Sequence, residues 1–263
     1  MTNPPPPPGR RADVRRTETQ QRRKPSLFIQ FIGVLGELMI TASIVIGLFI
    51  FWQLYWTTWE VEGEREQAIV NFEEKLPEIT DEDAPPEPRT DDPPAFEPVG
   101  YGETMGILHV PVWDDMKVPI VHGTGQELLD QALGGHYEVT QWPGELGNFA
   151  VAAHRRSYGN NFRHVDTLEE GTPVVMETAD AFLVYKVRHK EIVLPSQTDV
   201  VNPVPHEPLD VQPTERLLTM TTCSTETGGQ FGNSHRYIVN LEFTHWTPRD
   251  EGLPAELRSE GGK

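Results

Sequence analysis

Cysteine is almost missing: Cys223 is the single one in 263 residues, so no disulfide can form within the chain. In an exported protein, an unpaired thiol points either to an intermolecular bridge or to a reactive sulfur. Basic charge is scarce beyond the N-terminus. Residues 1–56 carry seven Arg or Lys against three acidic residues, leaving 15 basic and 37 acidic residues in 57–263, a balance of −22. So acidic a body argues against nucleic acid as a partner, because phosphate binding needs clustered Lys and Arg. The glycine patterns that cradle phosphates or dinucleotides are absent, and the histidines lack metal-ligand spacing, so neither a cofactor nor a metal is expected.

Long apolar runs are limited to one. Residues 38–56, LMITASIVIGLFIFWQLYW, hold 19 positions without a charge, and a helix of that length spans about 28 Å, the thickness of a bilayer core. A cleavable signal peptide would be shorter and end in small residues, whereas this run leads into Trp52, Tyr55, Trp56 and Trp59, the aromatic belt of a retained anchor. Seven basic residues precede the run and Glu60, Glu62, Glu64 and Glu66 follow it, so the positive-inside rule places the N-terminus in the cytoplasm and the rest outside. The expected organisation is a disordered basic tail over 1–26, a transmembrane anchor over 27–59, a helical stalk and then a spacer over 60–98, a folded domain over 99–247 and a polar tail over 248–263. The spacer reading rests on residues 77–98, where seven prolines and eight acidic residues favour a stiff, extended chain.

From residue 99 the text becomes short apolar runs separated by Gly, Pro, Asn and Asp. Candidate strands are 104–110, 118–121, 148–153, 172–177, 181–192, 215–223 and 237–244, with one short helix over 126–133. Many short strands in about 150 residues predict an all-β barrel or sandwich.

Cys223 ends one of these strands and Arg236 begins the next. A cysteine attacks as its thiolate and needs a base or cation beside it, while acyl chemistry also needs a donor for the developing oxyanion. Arg236 can be that donor, since a guanidinium stays charged. Among nine histidines, His154 stands out because it closes the apolar run NFAVAA and opens a polar turn, which would carry it to the rim of a cleft. His235, adjacent to Arg236, is the competing imidazole and is read as a loop residue. Against the chemical reading, Cys223 could be a small buried hydrophobe and Arg236 an ordinary surface ion-pair partner.

Thr219-Met220-Thr221-Thr222-Cys223, followed by Arg236 at the head of an R-x-I-V strand, resembles the TLxTC signature and catalytic arginine of sortases. Ala153-His154-Arg155 ahead of Tyr158-Gly159 resembles their catalytic-histidine motif in the class E form of actinobacteria. The resemblance covers roughly residues 100–246. It implies a closed β-barrel of about eight strands with one or two short helices, and a membrane-anchored cysteine transpeptidase with Cys223 as nucleophile, His154 as acid and base, and Arg236 at the oxyanion. It also implies an LAxTG-like C-terminal sorting signal on secreted proteins, cut between Thr and Gly, and an acceptor amine from a peptidoglycan precursor or a pilin lysine. A pilin polymerase, a hydrolytic cysteine protease, and a tethered barrel that only binds peptide or wall polymer are the other readings.

Overall fold

The computed structural model describes residues 26–52, 57–79, 84–229 and 232–258. Most of the expected basic tail, Tyr55 and Trp56 of the aromatic cluster, the acidic residues 81–83 and the last five residues lie outside these. The chain forms two compact units that meet between Ile50 and Phe51. The first unit holds nearly all of helix α1, Leu27–Phe51, whose 25 residues run about 37 Å. It is long and apolar enough to cross a membrane, and its large apolar side chains are exposed.

The second unit begins with α2, Thr57–Glu73, which lies against the barrel through buried Phe72 and a 2.8 Å ion pair from Glu73 to Lys117. Eight strands follow: β1 Thr104–Val110, β2 Met116–His122, β3 Gly134–His136, β4 Gly147–Ala152, β5 Pro173–Glu177, β6 Ala181–Val193, β7 Arg216–Ser224 and β8 His235–Pro248. They close in the order β1-β2-β3-β4-β7-β8-β6-β5, with β5 pairing back onto β1. The β2–β3 and β4–β7 pairs are parallel and the rest antiparallel. The seven expected strands are present, several of them longer than the sequence suggested. The expected helix over 126–133 shrinks to α3, Gln126–Leu129, because the chain turns into β3 at Gly134.

Alternation along each strand explains the core. Leu108 and Val110, Phe149 and Val151, Val174 and Met176, Leu183 and Tyr185, Leu218 and Met220, and Val239 and Leu241 all point inward. The intervening residues need other covers. Val175, Phe182 and Val184 form an outer patch covered by Ile79, Leu253 and Leu257. Ile238, outside on β8, is covered by Val200 and Val201 from a 3-10 turn, Thr198–Val201, in the β6–β7 connection. Residues 248–257, expected as a polar tail, are therefore held down in part: Thr247 and Arg249 are buried and two further 3-10 turns follow.

From residue 84 the proline-rich stretch is extended, as its composition demands, but it is bound to the barrel. Arg89 pairs as an isolated bridge with Trp246, giving two 2.9 Å backbone bonds; the Trp246 Nε1 donates to Asp91; Arg216 reaches Asp92 at 2.6 Å; and Phe96 stacks on Trp142 at 5.5 Å. A segment with few backbone donors and little conformational freedom loses little when it docks, so the proline content that suggested a spacer also suits a belt.

Candidate active site

The ladders bring three strand tips to one place. In the parallel β4–β7 pair the last rungs are Val151↔Met220 and Ala152↔Thr221, and the Ala153 amide still donates to the Thr221 carbonyl at 3.2 Å. Continuing that register sets His154 beside Cys223. The Thr222 hydroxyl, pointing inward, fastens the two tips by donating to the Ala153 carbonyl at 2.7 Å. Across the antiparallel β7–β8 ladder, Cys223 sits directly opposite Arg236. Residues opposed in this way point to the same face, with Cβ atoms about 5 Å apart.

Cys223 is half-buried, so the expectation of a sealed hydrophobe does not describe it. With His154, Asp130, Gln126 and Tyr158 it lines a cleft of about 330 Å³. Larger hollows lie beneath Pro77 and Ile79 and beside the β1–β2 turn, but neither holds a thiol. The His154 Nε2 is 2.7 Å from Asp130 Oδ1, and its ring leans on Tyr158 with centroids 5.4 Å apart. The turn after His154 is tight: Tyr158, Gly159 and Asn160 all have positive φ, and a Cβ on Gly159 would meet that of Ala132 at 2.4 Å. The Asn161 Nδ2 donates to the Ala132 carbonyl at 2.7 Å, so the histidine turn and the α3 segment bearing Asp130 are docked together.

Arg236 is half-buried, and its Nη1 donates to the Asn233 and His235 carbonyls at 3.3 and 3.1 Å. The guanidinium is thus held by the loop that precedes its own strand. His235 pairs with Ser224, one rung along, and alternation turns it away from the face that carries Cys223 and Arg236. Its Nδ1 is bonded to Ser234 Oγ. His109 is buried against Glu177, and His206 lies between Glu191 and Asp199, so both have carboxylate partners elsewhere. Among the described residues no group of three or more His, Cys, Asp or Glu could hold a metal ion.

Asp130 has no signal in the sequence, and Arg155 enters it only as part of the histidine motif. Asp130 lay inside the expected helix, with nothing in its spacing to link it to a residue 24 positions on. Arg155 follows His154 in that motif and opens a polar turn, yet it is 3% exposed.

A family model for the sortase domain matches residues 108–243. The chain is 33% identical over 259 residues to Sortase SrtE1 of Streptomyces coelicolor, covering 95% of this chain and 68% of that protein. It is 32% identical over 249 residues to Sortase SrtE2 of the same organism, covering 90% and 92% respectively. Among solved structures, SrtA sortase from Actinomyces oris is similar at 48% identity and a TM-score of 0.63, over 67% of this chain and 99% of that one. Sortase E1 from Streptomyces coelicolor, solved with a tripeptide in the active site, is similar at 35% identity and a TM-score of 0.54, over 60% and 98%.

Proposed function

The chain belongs to the sortase family, in its class E branch, and is a cysteine transpeptidase; from that premise we propose that it cuts an LAxTG-like C-terminal sorting signal between Thr and Gly and passes the new acyl end to a cell-wall precursor amine. Cys223 is the nucleophile in this reading. Its thiolate attacks the threonine carbonyl, and Arg236, on the same face of the neighbouring strand, supplies positive charge where the oxyanion develops. His154 protonates the glycine nitrogen as the C–N bond breaks, which leaves a thioester on the sulfur. The acceptor amine then attacks that thioester. His154 takes its proton, the C–S bond breaks and the thiolate returns.

Asp130 has a defined part in this scheme. A carboxylate oxygen accepts a hydrogen bond, so His154 carries a proton on Nε2, and Nδ1 is left as the nitrogen that exchanges protons with the reacting groups. We place the barrel outside the plasma membrane with α1 as a single-pass anchor and the N-terminus in the cytoplasm. The length of α1 and the basic-before, acidic-after asymmetry support this.

The observation that carries the reading is the meeting of the only thiol and His154 in one cleft, with Arg236 opposite the thiol on the adjoining strand. Full-length protein in detergent, given an LAxTG peptide and diglycine, should release the C-terminal fragment and join diglycine to the rest. Cys223→Ala should abolish both products. Hydrolysis without transfer would replace the proposal with a protease, and no turnover would leave a binding module.

A further inference from the structure

Alternation at the three strand tips has an effect beneath the cleft. In β7 and β8, where a side chain points out to the rim its successor points in, and past the end of β4 the chain bends at Arg155 and turns that side chain inward as well. The successors of His154, Cys223 and Arg236 are Arg155, Ser224 and Tyr237, and all three are buried. They meet at one group. The Arg155 Nη1 donates to Ser224 Oγ at 3.3 Å, and its guanidinium lies over the Tyr237 ring, 5.3 Å from the centroid. The Ser224 hydroxyl is held in turn, donating to the Thr225 carbonyl at 3.1 Å. The Arg155 Nη2 faces Asp166 Oδ1 at 3.0 Å, on a 3-10 turn, Val165–Thr167, downstream of the histidine.

Burying a guanidinium is costly, and a long flexible side chain at a rim turn would ordinarily run its charge out to water. Arg155 does not: its Nε and Nη2 are sealed from solvent without a well-aligned hydrogen bond, and the Asp166 ion pair, the Ser224 hydroxyl and the tyrosine face compensate the charge. A buried ion pair is often no more stabilising than apolar side chains of the same volume, so stability alone is a poor reason for it to be there. Its one distinctive feature is that it ties together the residues next to all three candidate reactive groups.

We propose that Arg155 is a positioning residue, a single buried guanidinium that fixes the relative placement of the Cys223 sulfur, the His154 ring and the Arg236 head by binding the strand tips from below. The inference rests on those three being the reactive groups. Misplacing reacting atoms by about 1 Å can cost on the order of 100-fold in rate, so the step should suffer more than signal binding, which spreads over a longer surface.

The test uses full-length protein in detergent with the LAxTG peptide and diglycine, comparing Arg155→Met, Arg155→Lys and Asp166→Asn. Because Cys223 is the only cysteine, iodoacetamide alkylation followed against pH reports the ionisation of that thiol alone. Arg155→Met should lower kcat at least about tenfold with KM for the peptide within about twofold, and should move the pH midpoint of alkylation. Arg155→Lys should recover part of kcat, since the charge returns without the planar fork. If Arg155→Met does not fold, Arg155→Lys and Asp166→Asn are read instead, and each should show a smaller drop in kcat at constant KM. Folded variants with wild-type kcat and an unchanged alkylation midpoint would overturn the proposal. So would a loss of activity that tracks only the loss of folded, alkylatable protein. Cys223→Ala separates the two levels: if it still turns over, the site assignment fails; if it is dead while the Arg155 and Asp166 variants are normal, only the positioning role fails.

Discussion

Acid should weaken the barrel through His136, and by an amount that follows from its surroundings. The ring is fully buried at the end of β3, wedged among Trp142, Phe149 and His122. Its Nε2 donates to the Gln141 carbonyl at 3.0 Å, which obliges Nδ1 to accept from His122 Nδ1 at 3.0 Å. Burial, together with the neighbouring His122, pushes its pKa down to about 4 although the Gln141 carbonyl opposes the change. The unfolded chain therefore takes up a proton first as pH falls, and this residue's stabilisation is complete above about pH 6.5 and declines toward pH 4. A downward displacement from 6.5 to about 4, at 1.36 kcal/mol per pH unit, is worth about 3 kcal/mol. Urea unfolding followed by tryptophan fluorescence, at about pH 7.5 and about pH 4, should show wild-type losing about 3 kcal/mol more than His136→Gln; carboxylates common to both proteins cancel in the difference. Losses equal to within about 0.5 kcal/mol would refute the reasoning. The effect should also reach the cleft, because Tyr137, next in the chain, bonds through its hydroxyl to Thr221 on β7.

Other substitutions test the site and its supports. His154→Ala should abolish turnover, Asp130→Asn should lower kcat about tenfold while retaining a hydrogen-bond acceptor, and His235→Ala should change little; the reverse order in a peptide-cleavage assay would mean the wrong imidazole was chosen. Burial alone would raise the Glu177 carboxyl, but His109 and Arg249 more than offset it and hold it below the usual range. Arg249→Met would leave that carboxylate with one partner, so thermal unfolding should report a loss of about 3–5 kcal/mol, and an unchanged Tm would count against the ion triad. A reporter enzyme fused after Lys263 should be active only outside the membrane, and activity in the cytoplasm would overturn the assigned orientation.

The parts of the fold legible in the sequence were those in which alternation repeats often enough to be counted. β7 announced itself by the apolar and β-branched run Leu217–Thr222, and β8 by Tyr237, Val239, Leu241 and Phe243 at every second position. β3 did not. It is three residues long with two glycines, and a Cβ on Gly135 would stand 2.4 Å from the Gly123 carbonyl, so the position demands the residue that strand propensity disfavours. The placement of Cys223, His154 and Arg236 within two residues of strand ends was legible, and strand ends in a closed sheet deliver side chains to its rim. Asp130 and Arg155 were hidden for opposite reasons. Asp130 reaches His154 from a separate element that is docked on the turn by the contact of Gly159 with Ala132, and Arg155 is a charge buried where sequence patterns assign charges to water. Composition likewise gave the extended shape of 84–98 but not its attachment, which depends on backbone bonds from Arg89 to the far end of β8.

That bridge between Arg89 and Trp246 sets where the molecule can be cut. A fragment trimmed to the matched limits, 108–243, would amputate the start of β1 and the four terminal rungs of β6 and β8, from Ala181↔Pro248 to Val184↔His245. It would also strip Ile79, Leu253 and Leu257 from Val175, Phe182 and Val184. Raw sheet margins and a bared oily surface are recipes for self-association, so such a fragment should collect in inclusion bodies, whereas one retaining the flanking segments at both ends should remain dispersed.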